Sequence, residues 1–284
     1  LPALASATNN AKTKNVLLAA NADGTVCHWH VTSRKCLHTI SEGENQVYAL
    51  DYMADGSAFA TAGKDYVVRV YDEATKSLVS KLETGWVGAP SPGHSNRVFA
   101  LKFSPDDPNL LYSGGWDNTV QIWDLRTKTP TGSMYGPHLC GDALDVKGYE
   151  CLTGSWRPNK ALQLWDVRTR TLCKDVPFRH PALEGKGESC HVYASQFSKP
   201  SAAGPGGAPP LIAAGGSGSN ELRLFTHDES FSAIATMRLP RGVYGLDLSH
   251  DGTRIAVAGG DCVVRVLNVP PSGSAPSDLP TVPP

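Results

Sequence analysis

The sequence predicts an all-β chain in which one small sheet recurs six times. Six blocks look alike: DGTVCHWH (23–30), DYVVRVYD (65–72), DNTVQIWD (117–124), NKALQLWD (159–166), SNELRLFT (219–226) and DCVVRVLN (261–268). Each places a large apolar residue six positions after its first member, and these residues (Trp29, Tyr71, Trp123, Trp165, Phe225, Leu267) are spaced 42, 52, 42, 60 and 42 apart. Around the blocks, apolar residues alternate with period 2, β-branched residues are frequent, and Gly, Asp and Asn punctuate at short intervals; no segment carries a helical period.

The first repeat covers about 1–40, with Leu4 in its innermost strand, aligned with Leu50 and Leu101 of the next two. The second covers 41–83. The third, 97–136, shows the pattern most fully: RVFALKF, NLLYSGG, TVQIWDL and a weaker TGSMYG read as four strands joined by SPDDP, WDN and RTKTP. The fourth covers 141–178 and the fifth 189–239. The sixth, 242–269, stops after its third strand, VVRVLNV. The two long spacings hold insertions, TGWVGAPS on one side and FRHPALEGKGES with SKPSAAGPGGAPP on the other. The tail 270–284 is too rich in proline to make a good strand. Four strands per roughly 42 residues, repeated, is the signature of a propeller blade. A four-stranded sheet cannot bury both faces alone, so blades must stack.

Composition agrees and excludes other classes. The 28 glycines and 21 prolines in 284 residues exceed the usual share of about 12%, which fits many tight turns. Formal net charge is −1, which argues against a chain that works by neutralising nucleic acid or an anionic membrane. No apolar run reaches the roughly 20 residues of a membrane span. Seven cysteines without a C-x-x-C pair oppose a disulfide framework or structural zinc and favour a reducing, intracellular and cytoplasmic setting, with cytoskeleton, cilium or nucleus as alternatives.

On these residues the chain resembles the WD-repeat β-propellers over 1–269. Gly93-His94, Ser113, Asp117 and Trp123-Asp124 carry the likeness, with Trp165-Asp166 as a second WD pair. The resemblance implies that His94, Ser113, Asp117 and Trp123 stitch the third blade through hydrogen bonds. The second repeat keeps Thr61 and Asp65 but has Tyr71 for Trp and no Gly-His; the first keeps Asp23 and Trp29; the last keeps only Asp261. Such propellers usually have seven blades, so a seventh blade or a closing strand is expected outside this segment; a six-bladed ring is the alternative.

Catalytic elements are sparse. His94, Ser113 and Asp117 are the residue types of a hydrolase triad, but in this frame they are structural. GGSGSN (215–220) is not a G-x-S-x-G elbow and Gly63-Lys64 is not a P-loop. His28 and His30 share a strand face without a third metal ligand. No enzyme activity, cofactor, metal or small-molecule substrate is expected.

The register points instead to a binding surface. The second position of the innermost strands is Tyr48, Phe99, Asp142, Tyr193 and Tyr244, with Pro2 for the first repeat. In a propeller these residues ring one mouth of the channel, and aromatics with one carboxylate suit a cation. The same face should carry Lys64, Trp116, Trp156 and Arg157 in hairpins, with Trp116 and Trp156 as neighbours, and Trp86 in the long connection 84–96. Two W-D-x-R runs, ending in Arg126 and Arg168, look like the box of WD-repeat substrate receptors of cullin-type ubiquitin ligases. The expected function is therefore a non-catalytic scaffold in a multiprotein assembly, cytoskeletal, ciliary or signalling, binding several proteins or peptides; alternatives are a ligase substrate receptor, a reader of a basic peptide side chain and, last, a hydrolase.

Overall fold

The computed structural model describes residues 15–83, 93–178, 189–199 and 210–269 in full and the backbone of Ala3–Ser6 and Ser277–Asp278. The chain divides into two compact units, Leu1–Cys140 with Val146–Gly148, and Gly141–Asp145 with Tyr149–Pro284. Among the described residues there are strands and turns only, and no helix is long and apolar enough to cross a membrane.

The first unit holds three four-stranded antiparallel meanders. They are β1 (Ala3–Ser6), β2 (Val16–Ala20), β3 (Thr25–His30) and β4 (Lys35–Ser41); β5 (Val47–Tyr52), β6 (Ala58–Gly63), β7 (Val68–Asp72) and β8 (Leu78–Leu82); and β9 (Val98–Phe103), β10 (Leu110–Gly115), β11 (Thr119–Asp124) and β12 (Thr129–Tyr135). Leu4 pairs with Ala19 as Leu50 does with Thr61 and Leu101 with Ser113, so the three sheets share one register.

The second unit carries the remaining sheets, apart from Val146 and Lys147 of the fourth. The fourth is β13 (Leu144–Lys147), β14 (Glu150–Gly154), β15 (Leu162–Asp166) and β16 (Thr171–Asp175). The fifth is β17 (Cys190–Phe197), β18 (Leu211–Gly218), β19 (Glu221–Thr226) and β20 (Ala233–Arg238). The sixth has three strands, β21 (Val243–Leu248), β22 (Arg254–Gly259) and β23 (Val264–Asn268). A seventh sheet has no counterpart among the described residues. The tail departs from expectation: β24 (Ser277–Asp278) runs parallel to β20 as a two-residue fifth strand. Ser277, Asp278 and Leu279 are the only residues between Pro276 and Pro280, and a ladder needs the N–H groups that proline lacks.

Burial explains the repeat. The third strand of the third sheet is buried on both faces: Val120 and Ile122 on one are 0% and 5% exposed, and Gln121 and Trp123 on the other are both 0%. Val264 and Val266, at the matching positions of β23, are 71% and 65% exposed. The outer strands β4 and β16 are exposed almost throughout. Between sheets, side chains of one innermost strand satisfy the backbone of the next. The Phe103 N–H donates to Asp51 Oδ2 at 2.8 Å, Phe197 N–H to Asp145 Oδ2 at 2.9 Å, and Leu248 N–H to Gln196 Oε1 at 2.8 Å.

Each of four sheets begins with the same irregularity. Val47 pairs with Gly63 and Ala49 with Ala62, so Tyr48 has no partner across the ladder. The pairings Val98–Gly115 and Ala100–Gly114 skip Phe99, Val192–Gly216 and Ala194–Gly215 skip Tyr193, and Val243–Gly259 and Gly245–Ala258 skip Tyr244. These are β-bulges, which re-aim the extra residue. A glycine faces each bulge for a steric reason. A Cβ on Gly63 would lie 1.9 Å from the Gln46 carbonyl oxygen, on Gly115 2.2 Å from that of Arg97, on Gly216 1.9 Å from that of His191, and on Gly259 2.7 Å from that of Gly242.

The third sheet is stitched beneath its surface. His94 meets Asp117 Oδ2 through Nδ1 and Ser113 Oγ through Nε2, each at 2.7 Å. The Trp123 indole N–H donates to the same Ser113 Oγ at 2.7 Å. Ser113 and Trp123 are fully buried and His94 is nearly so, so this triad-like set has no room for a substrate at its hydroxyl. Burial alone would raise the Asp117 carboxyl, but hydrogen bonds from His94, Thr119 and the Ser95 N–H outweigh it and hold it below the usual carboxylate value. The second sheet rebuilds the stitch with other residues. Glu42 accepts from Thr61 Oγ1 at 2.5 Å and from the Tyr71 hydroxyl at 3.0 Å, and Arg69 balances its charge at 3.5 Å while pairing with Asp65 at 2.5 Å. In the fourth sheet the Trp165 indole donates to Thr153 Oγ1 at 3.0 Å without a histidine in the set.

Two outcomes test this description. Gly115→Ala forces a Cβ into the Arg97 carbonyl and is expected to cost roughly 1–3 kcal/mol, the range for overpacking a tight site, in urea unfolding; an unchanged midpoint would show that the bulge tolerates a side chain there. A carboxyl held low in the folded state contributes stability that is present above about pH 4 and lost as pH falls through the folded value. Asp117→Asn should therefore be less stable at pH 7, by about 1–3 kcal/mol, and lack the wild-type loss on acidification below pH 4 that unfolding at stepped pH records.

Candidate functional site

The bulges bring three of the sequence-predicted residues of the first unit together. Tyr48 and Phe99 stack with ring centroids 4.8 Å apart and planes 7° from parallel. Phe99 continues to Trp116 at 5.0 Å and 32°, and Trp116 to His138 at 6.2 Å and 10°. The result is a strip of half-buried rings rather than separate side chains. Its members are fixed from behind. The Tyr48 hydroxyl donates to Gln46 Oε1, the Trp116 indole N–H to Cys140 Sγ at 2.9 Å, and His138 Nδ1 lies 2.9 Å from Asn118 Oδ1.

The hairpin residues are set by the same carbonyls that exclude a Cβ. Lys64 N–H donates to the Gln46 carbonyl and Trp116 N–H to the Arg97 carbonyl, both at 3.0 Å. Lys64 and Trp116 thus hold equivalent places in neighbouring sheets, one exposed and charged, the other half-buried and aromatic. Arg97, which the sequence reading missed, places its guanidinium carbon 5.2 Å from the Trp116 ring centroid. Neither Arg97 nor Lys64 has a carboxylate partner among the described residues.

The second unit has its own set. Tyr193 and Tyr244 meet edge to face at 5.0 Å and 83°. Trp156 packs on His191 at 5.0 Å and 35° and remains 45% exposed. Asp142 and Arg157 are exposed, and the Asp142 carbonyl accepts from the Ser195 N–H at 3.3 Å. Pro2 and Trp86 lie outside the described residues.

The two W-D-x-R turns share one geometry. Arg126 reaches Asp124 through Nε at 3.2 Å and Nη2 at 2.8 Å, and Arg168 reaches Asp166 at the same two distances. Hydrogen bonds from the arginine side chain and N–H pull each of these carboxyls down to about 2. Arg168 also lies 4.3 Å over the exposed Tyr149 ring. His28 and His30, weighed as a metal pair, go to different partners: Nε2 of buried His28 to Glu73 at 3.3 Å, Nδ1 of His30 to Ser33 Oγ at 2.7 Å. Among the described residues no three histidine, cysteine or acidic side chains form a metal cluster. Burial raises the Cys140 and Cys190 thiols to about 11, which suits them to packing rather than nucleophilic work.

Comparison with known proteins adds to this geometry. Residues 34–72, 89–124 and 232–268 match the family of the WD domain, G-beta repeat. A Striatin homolog of Dictyostelium discoideum is 23% identical over 184 residues, 62% of this chain and 21% of its own length. The Target of rapamycin complex subunit LST8 of Mus musculus is 31% identical over 163 residues, 54% of this chain and 45% of its own. The chain therefore spans less than half of these curated relatives. A chain in the crystal structure of the Mitotic Checkpoint Complex superposes with a TM-score of 0.72 at 20% identity, over 90% of this chain and 72% of that one. Three segments of the chain thus match the WD40 repeat, and the chain shares its fold with that neighbour.

Proposed function

We propose that the chain is a non-catalytic docking scaffold that holds segments of several partner proteins inside a larger intracellular, cytoplasmic assembly. The observation that carries this reading is the recurrent bulge, which turns Tyr48, Phe99, Tyr193 and Tyr244 out of their ladders. Rigid aromatics backed by hydrogen bonds lose little entropy on binding and are common interface anchors. The relatives' names point the same way, since one is a subunit of a complex and the structural neighbour comes from another. The buried triad-like set and the absence of a metal cluster among the described residues give no support to a catalytic reading.

A second reading rests on the matched Arg126 and Arg168 turns. Each guanidinium is held flat by its own aspartate, yet its side chain is 70% or 61% exposed. Two preorganised arginines suit the adaptor of a cullin-type ligase, with this chain as substrate receptor. Arg126→Ala with Arg168→Ala should then abolish co-purification of that adaptor and leave other partners in place.

The principal test is affinity capture with the full-length protein. Phe99→Ala with Trp116→Ala, and separately Tyr193→Ala with Tyr244→Ala, should each lower recovery of partners at least tenfold against wild type. Leu172→Ala on the exposed outer strand β16 should not. Equal recovery from all four proteins, each shown to be folded by circular dichroism, would contradict the docking surface.

A further inference from the structure

Resting on the docking reading, we infer that the aromatic strip of the first unit takes an acidic peptide segment: an Asp or Glu carboxylate on Arg97, with a neighbouring apolar side chain laid along Tyr48, Phe99 and Trp116. The ring alone suggests a cation as ligand, because π-faces attract positive charge. The structure changes that expectation in this unit. The rings spend their faces on one another, and the Trp116 face already has a cation, the Arg97 guanidinium at 5.2 Å.

Arg97 is half-buried and has no ion-pair partner among the described residues, unlike Arg69, Arg126, Arg168, Arg223, Arg238 and Arg265, which all pair with a carboxylate. A partly desolvated guanidinium without a partner is costly, and the contact with Trp116 leaves its N–H fork without a carboxylate among the described residues. That fork matches a carboxylate in two-point geometry. Lys64 adds a second cation with no carboxylate partner among the described residues, at the equivalent hairpin position of the adjoining sheet, whose Tyr48 stacks on Phe99 of the third sheet. Charge and apolar surface thus stand side by side on one strip.

The test is fluorescence anisotropy on the 284-residue chain with four labelled twelve-residue peptides of matched Leu and Phe content. One carries Asp and Glu, one carries Lys at those positions, one carries Ser, and one carries phosphoserine without Asp or Glu. The acidic peptide should bind at least tenfold more tightly than the serine peptide, and the gap should narrow as salt rises. Arg97→Glu should remove that gap and bring the lysine peptide above the acidic one, while Lys64→Glu should weaken acidic binding severalfold. Thermal unfolding of each variant shows that it is folded. Tighter binding of the lysine peptide to wild type, acidic binding that survives Arg97→Glu, binding of the phosphoserine peptide alone, or no binding of any peptide would each overturn the inference. If partner capture still depends on Phe99 and Trp116 in that event, the docking surface stands and only its charge preference falls; if capture is also indifferent, both fall.

Discussion

In four of the six described sheets the carbonyl two residues before the bulge aromatic comes so close to the second strand that only glycine can stand opposite it. The rest of the surface depends on that approach. It forces one residue out of the ladder, and in these four sheets the residue is aromatic. The carbonyls of Gln46 and Arg97 also accept the N–H of the hairpin residue, which fixes Lys64 and Trp116 beside the bulge. One backbone contact therefore sets a strand side chain and a turn side chain together. The aromatic strip follows from repeating that contact in adjacent sheets.

What holds the sheets is separable from what faces outward. The His94–Asp117–Ser113–Trp123 set lies under the third sheet's surface and is satisfied internally. The second sheet shows that the stitch needs a connected polar network more than particular residues. Glu42 and Tyr71 reproduce it with Arg69 as counter-charge, and burial together with the Glu42 charge pushes the Tyr71 phenol up. A buried carboxylate in that place is tolerable only because two hydroxyls and a guanidinium meet it.

The repeat was readable in the sequence because each third strand keeps a large apolar side chain at the same place in its block, and the Leu4, Leu50 and Leu101 alignment is the register that the ladders adopt. The ring positions were readable for the same reason: Tyr48, Phe99, Tyr193 and Tyr244 each follow a Val at a fixed place. That they are bulge residues was not, although the glycines at 63, 115, 216 and 259 were the available signal. Glu42 was missed because it sits where the third repeat has Gly93, one place before the histidine. Arg97 was missed because its role comes from stacking on Trp116, a residue nineteen positions away, and local pattern carries no trace of it. The two-residue strand at Ser277–Asp278 escaped because proline content describes the tail as a whole and not the short steps between its prolines.

In the proposed function, partner segments dock on the bulge residues and their hairpins. Amide hydrogen–deuterium exchange of the full-length protein, alone and with a captured partner, addresses it directly. Protection on binding should concentrate at 46–49, 97–100 and 114–117, with the outer strands Lys35–Ser41 and Thr171–Asp175 unchanged. Protection confined to those outer strands, with the bulge segments exchanging as in the free protein, would contradict it.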